Sequence, residues 1–202
     1  MFSKTAQIAL VATALTLGAC AKPPQQEIDG SKAALTAADK AQASRYAADE
    51  WAAAQEAQQA VDAEIEAQAG KLGLFRSYDH TKELITEANA KAEAARAAAV
   101  ANKETARQEA QAKVDAAHAS LTAAQNLVTE LQACPRKPKG FEADMEVMTG
   151  NLTGLEGSVA GLDQAMTGEE YDTAGTEAEN LRQQLDVLVA DMQSAKEKIG
   201  CK

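Results

Sequence analysis

FEADMEVMTGNLTGLEGSVAGLDQAM, Phe141 to Met166, decides the fold. Its large apolar residues are Phe141, Met145, Met148, Leu152, Leu155, Val159, Leu162 and Met166, and they recur in alternating steps of four and three. That rhythm lines one side of an α-helix and seals it against a partner helix. It returns at once, from Tyr171 through Ala174, Ala178, Leu181, Leu185, Leu188, Met192 and Ala195 to Ile199, with only Thr167-Gly168 as a break between the two stripes. Two helices of similar length joined by so short a turn fold back on each other. The expected hairpin carries Cys134 just before its first helix and Cys201 just after its second, so folding brings the two thiols together. A disulfide closing such a loop stabilises a fold by roughly 2–4 kcal/mol.

Working towards the amino terminus, Cys134-Pro135-Arg136-Lys137-Pro138-Lys139-Gly140 is the clearest boundary in the chain. Before it, a long helix is expected from about Tyr78 to Gln132. Its stripe is Ile85, Ala88, Ala92, Ala95, Ala99, Ala106, Ala110, Val114, Ala117, Leu121, Ala124, Val128 and Leu131. At 1.5 Å per residue such a helix is about 80 Å long. Ser31 to Ala69 contains no proline or glycine and reads as a first helix, with Trp51, Ala54, Gln58, Val61, Ile65 and Ala69 on one side. Gly70-Lys71-Leu72-Gly73 ends it.

Hydrophobic residues are 46% of the chain but aromatics only 3%, because alanine supplies most of the apolar count. Alanine is the best helix former and a poor core filler. The expected fold is therefore all-α: an elongated bundle of about four long helices, in antiparallel coiled-coil-like hairpins with thin contacts. The formal net charge of −10 argues against nucleic acid and against electrostatic adhesion to anionic lipid.

Gly150, Gly154, Gly157 and Gly161 form a second stripe on the third long helix. Each costs a helix about 1 kcal/mol relative to alanine. Two readings are open: close approach of another helix, with the alanine-lined long helix as the candidate, or a weakly stable face turned to solvent.

The first residues place the chain. Lys4 is the only charge before Cys20, and Ile8 to Leu17 form an apolar core of secretory-signal length, too short to span a bilayer. Leu17-Gly18-Ala19-Cys20 resembles the bacterial lipobox, which implies that Cys20 is lipidated and becomes the mature amino terminus. By the sorting pattern of Gram-negative lipoproteins, Ala21 implies the outer membrane, facing the periplasm. Ala21-Lys22-Pro23-Pro24-Gln25-Gln26 reads as a short stiffened spacer. In an oxidising periplasm the remaining pair, Cys134 and Cys201, is most simply a disulfide. The expected divisions are a signal peptide at 1–19, lipidated cysteine and spacer at 20–30, an alanine-rich hairpin at 31–133 and a disulfide-closed hairpin at 134–202.

Three resemblances bear on role. The order lipobox, AKPPQQEID, YAADEWAAAQEAQQAVDAEIEAQ, LFRSYDHTKELITEANAKAEAA and GEEYDTAGTEAENLRQQL resembles a family of alanine-rich bacterial lipoproteins known only as a domain of unknown function. It implies a helical envelope protein and carries over no catalytic residues. Tyr171, Ala174, Ala178 and Leu181 after Gly168 resemble the second helix of a tetratricopeptide repeat, and Tyr78, Thr81, Ile85 and Ala88 echo it, but no 34-residue period is present. The terminal Lys202 resembles the lysine by which a small helical lipoprotein is linked to peptidoglycan.

No phosphate loop, histidine–glutamate zinc helix or nucleophile elbow occurs in the sequence. His80 and His118 are isolated, and His118 reads as solvated, so neither a metal nor another cofactor is expected. Arg136, Lys137 and Lys139 form the one basic cluster, read as a solvated loop or as a contact for an acidic partner or wall carboxylates. Trp51 and Tyr46, with Phe75 and Tyr78, read as packing anchors near the turn after the first helix, or as a partner site. The expected function is a non-enzymatic outer-membrane spacer or scaffold, held by acyl chains on Cys20, with an envelope protein, peptidoglycan or a second copy as partner. The rival is a tetratricopeptide-like adaptor that binds an envelope protein through a groove near Tyr78 or Tyr171. A lipid carrier would need a cavity for which alanine seams leave little volume.

Overall fold

The computed structural model describes residues 22–201, and all regular structure among them is helical. In order these are α1 (Gln25–Lys40), α2 (Ala43–Tyr46), α3 (Ala48–Ala69), a single 3-10 turn (Gly73–Phe75), α4 (Asp79–Ala133), α5 (Phe141–Thr167) and α6 (Tyr171–Ile199). Among the described residues no helix is long and apolar enough to cross a membrane. The chain divides into two compact units, the first ending at Ala99 and the second beginning at Val100. Helix α4, 55 residues long, continues through the division.

The second unit is built on the two stripes that open the sequence reading. Every position of both is buried or half-buried. They do not seal only against each other, however. Val114, Ala117, Ala124, Val128 and Leu131 of α4 share one core with Leu152, Val159 and Leu162 of α5 and Leu185, Leu188 and Met192 of α6. The unit is thus a three-helix bundle, and the boundary expected at Cys134 falls inside it. The reason lies in α4, whose stripe turns from alanine to larger valine and leucine beyond Ala110 and so buries enough area to hold two further helices.

Polar pairs along the rims of this core fix its register. His118 Nε2 lies 3.3 Å from Asp163 Oδ1, and Gln125 Nε2 donates to Glu156 Oε1 at 2.7 Å. A step of seven forward on α4 is thus a step of seven back on α5, as antiparallel helices require. His118, expected to be solvated, is half-exposed and faces this carboxylate.

Among the described residues no helix packs closely on the glycine stripe of α5. A Cβ added at Gly150, Gly154, Gly157 or Gly161 would meet no atom within 4 Å, so the close approach weighed for these residues does not occur among the described residues. It occurs instead at Gly175 of α6, where an added Cβ would lie 3.5 Å from Ala110 Cα and 3.6 Å from Ala110 Cβ.

In the first unit, the helix expected to begin at Ser31 begins at Gln25, so Gln25–Gly30 is not spacer. It is broken at 41–47, where Gln42 adopts φ 60° and Ala47 φ −149°. Helix α3 then packs back on α1. Ile28, Ala57, Val61, Ile85 and Ala88 form the core, with Ile65 and Leu84 against it. This core is lean and includes buried polar groups. Ser31 Oγ donates to Ile28 O at 2.9 Å. Buried Gln68 donates to Glu64 at 2.6 Å and accepts from Ser77 N at 3.1 Å. Gln68 therefore ties the end of α3 to the residues that lead into α4.

Candidate functional site

Three places in the fold bring chemistry-bearing side chains together, and each is built within one unit. The first is the closed end of the second unit. Gly140, at φ 94°, starts α5, and Gly200, at φ 67°, ends α6; both conformations suit glycine because they lie in the left-handed region. These turns carry the chain so that Cys134 and Cys201, 67 residues apart, come to a Cα–Cα distance of 5.8 Å and form a disulfide. Arg136, Lys137 and Lys139 lie exposed in the connection, with Lys137 Nζ 5.8 Å from the centre of the Phe141 ring. A small pocket of about 420 Å³ lies beside them, with Phe141, Met145 and Met148 as its apolar wall and Lys139, Lys198 and Asp191 among its polar lining.

The second is an open groove of about 930 Å³ along α5 and α6, with Gly150, Gly154 and Leu155 on one side and Leu181, Val187 and Leu188 on the other. The glycines leave this face without side-chain bulk, and Val187 is exposed on it.

The third is the connection from α3 to α4. Arg76 folds across it, its Nε donating to Lys71 O and its Nη2 to Ala69 O, both at 2.9 Å. Leu72, Leu74 and Phe75 are left 75%, 86% and 72% exposed. Phe75, expected as a packing anchor, is not one.

Of the residues expected to meet a partner, Tyr78 and Tyr171 are buried and offer little surface to one. Tyr78 sits immediately before α4 and Tyr171 at the start of α6. Trp51, near the start of α3, is half-buried. It and Tyr46 stand at the opposite end of α3 from Phe75, so these aromatics form no single cluster. Cys20 and Lys202 lie outside the described residues, as does the signal segment at 1–19.

The perturbed ionisable groups are surface pairs on single helices. Arg107 donates to Glu104 at 2.8 and 2.9 Å and Gln108 donates to it at 2.8 Å. These bonds hold the Glu104 carboxyl at a pKa of about 2. Arg182 does the same for Glu179, in direction, with help from Gln183. Among the described residues no three His, Cys, Asp or Glu side chains converge as a metal site would require. Sequence reasoning missed the α3–α4 connection as an exposed surface, although LGLF between Lys71 and Arg76 contains the signal: an apolar run too short for a helix and bracketed by cations.

Comparison with protein-family models, with curated proteins and with solved structures finds no match to the chain.

Proposed function

We propose that the chain is a non-enzymatic lipoprotein of the outer membrane, anchored by acyl chains on Cys20, whose helical body is a periplasmic spacer or scaffold. Helix α4 carries this reading: it runs 55 residues without a break and supplies residues to the core of each unit. A helix of that length contributes reach, and most of its buried positions are alanines that pack helices and leave little room for a ligand. The basic connection at Arg136, Lys137 and Lys139 supports a contact with wall carboxylates at the end where Lys202 follows the disulfide. The test has two parts. Replacement of Cys20 by alanine is expected to abolish lipid incorporation and release the protein from membranes. Loss of the protein is expected to alter the membrane-to-wall distance seen by electron cryotomography of intact cells; an unchanged distance rejects the spacer. Retention on walls boiled in detergent, if it depends on Lys202, makes the spacer a covalent tether.

The adaptor reading draws support from the open α5–α6 groove rather than from Tyr78 or Tyr171. Photocrosslinkers at Gln183 and Val187, on the groove, would capture a protein partner under that reading and none under the spacer reading.

A further inference from the structure

We propose that the α3–α4 connection is a second membrane contact, in which Leu72, Leu74 and Phe75 enter the lipid surface to which Cys20 is anchored. The proposal rests on the lipid-anchor reading and says how the first unit stands on the bilayer.

The argument starts from exposure. Three large apolar side chains within four residues are each about three-quarters or more open to solvent, and contiguous exposed apolar surface marks an interaction site. The surface is also built. Arg76 bonds back to the carbonyls of Ala69 and Lys71, and Ser77 N is held by buried Gln68. Leu72–Phe75 is therefore presented on a braced turn, with the stem-and-charge side chains of Lys71 and Arg76 on either side, an arrangement suited to a headgroup boundary.

The place of this turn in the unit identifies the occupant. Residues 41–47 join the end of α1 to the start of α3, so the two helices run antiparallel. Lys32 Nζ lies 3.4 Å from Asp62 Oδ1, and Ile28 shares a core with Val61 and Ile85. Seven residues before Lys32 is Gln25, where α1 begins, and seven after Asp62 is Ala69, where α3 ends. At equal rise per residue the start of α1 is level with the end of α3. The exposed turn thus lies at the end where the chain arrives from Cys20. Four residues separate Cys20 from Gln25, and the five steps of chain from one to the other reach at most about 18 Å when fully extended. Acyl chains on Cys20 hold a bilayer within that reach of the start of α1, the end of the unit at which Leu72, Leu74 and Phe75 are exposed. Apolar side chains at such a surface settle about 5–10 Å into the boundary between headgroups and acyl chains, and this needs no attraction to anionic lipid, which an acidic chain disfavours.

The test uses the full lipidated chain in phosphatidylcholine vesicles containing lipids brominated along their acyl chains. One variant combines Leu74→Trp with Trp51→Phe, so that its sole indole is on the turn; the unaltered chain reports from Trp51. Flotation is scored first. Vesicles that float with the protein and quench the Leu74→Trp reporter, with a blue shift in its emission and no quenching of Trp51, are the expected result. Slower tryptic cleavage after Lys71 and Arg76 on vesicles should accompany it, and the L72S/L74S/F75S variant should lose that protection while keeping its helical circular dichroism. Flotation without quenching overturns the second contact and leaves the anchor standing. Failure to float overturns both. An unquenched reporter together with crosslinking from position 74 to an envelope protein assigns the turn to a protein partner and equally overturns the proposal.

Discussion

Lys196 Nζ donates a hydrogen bond of 2.7 Å to Glu130 Oε2 across 66 residues of sequence, and the same offset separates Lys103 from Glu169 and Ser120 from Asp186. A constant offset means that α4 and α6 run parallel without slipping from Ser120 to Glu130, and the turn before α6 keeps the same offset at Lys103. Helix α5 returns between them. Surface pairs of this kind contribute little each, so the register is set by the core beneath them and reported by the pairs.

The disulfide is the covalent end of that register. Cys134 and Cys201 close a loop of 67 residues containing both α5 and α6. Cys134→Ser with Cys201→Ser should lower the stability of the second unit by roughly 2–4 kcal/mol, read as a lower urea midpoint. Reducing and non-reducing gels of the unaltered protein should show different migration.

The glycines of α5 and α6 should respond in opposite ways. Gly157→Ala and Gly161→Ala place a methyl group in open space, so each should raise stability by about 1 kcal/mol through helix propensity alone. Gly175→Leu must fit a side chain whose first carbon already touches Ala110, and should cost roughly 1–3 kcal/mol. Thermal melts of the three variants check both directions.

These glycines show where the sequence was legible. The ends of α4, α5 and α6 were readable to within a residue because Pro135, Pro138, Gly140, Gly168 and Gly200 punctuate them and the apolar rhythm runs unbroken between. The break at 41–47 carried no such mark: AQASRYA has ordinary helix formers throughout, and Gln42 is turned to positive φ by the packing of α3 back onto α1. Gly175 was hidden for a related reason. Four glycines in register attract attention as a stripe, but the approach of two backbones depends on which helix arrives opposite, and α4 meets the lone glycine of α6. The exposed turn at Leu72–Phe75 was legible as a break and illegible as a surface, since apolar residues in an alanine-rich chain are expected to be used as core.

Tyr78 and Tyr171 distinguish packing from recognition. Both rings are buried, so Tyr78→Ala and Tyr171→Ala should each cost roughly 3–5 kcal/mol, the range for removing a large core aromatic. Urea unfolding measures this directly. A variant that keeps its stability and loses an envelope partner would return these residues to the adaptor reading.

Glu104 gives a prediction in pH. Its ordinary pKa of 4.5 falls to about 2 in the folded chain, because Arg107 and Gln108 bond to the charged carboxylate. The unfolded chain therefore takes up this proton at a higher pH than the folded chain does. The stabilisation by the pair is present in full above about pH 4.5 and is lost as pH falls from there towards about 2. The group is fully exposed, so salt should weaken the effect. Carboxyl-carbon NMR should place the Glu104 midpoint well below the ordinary value of 4.5, and Arg107→Gln should move it back towards that value. A Glu104 midpoint unchanged by Arg107→Gln would mean that the pair does not persist in solution.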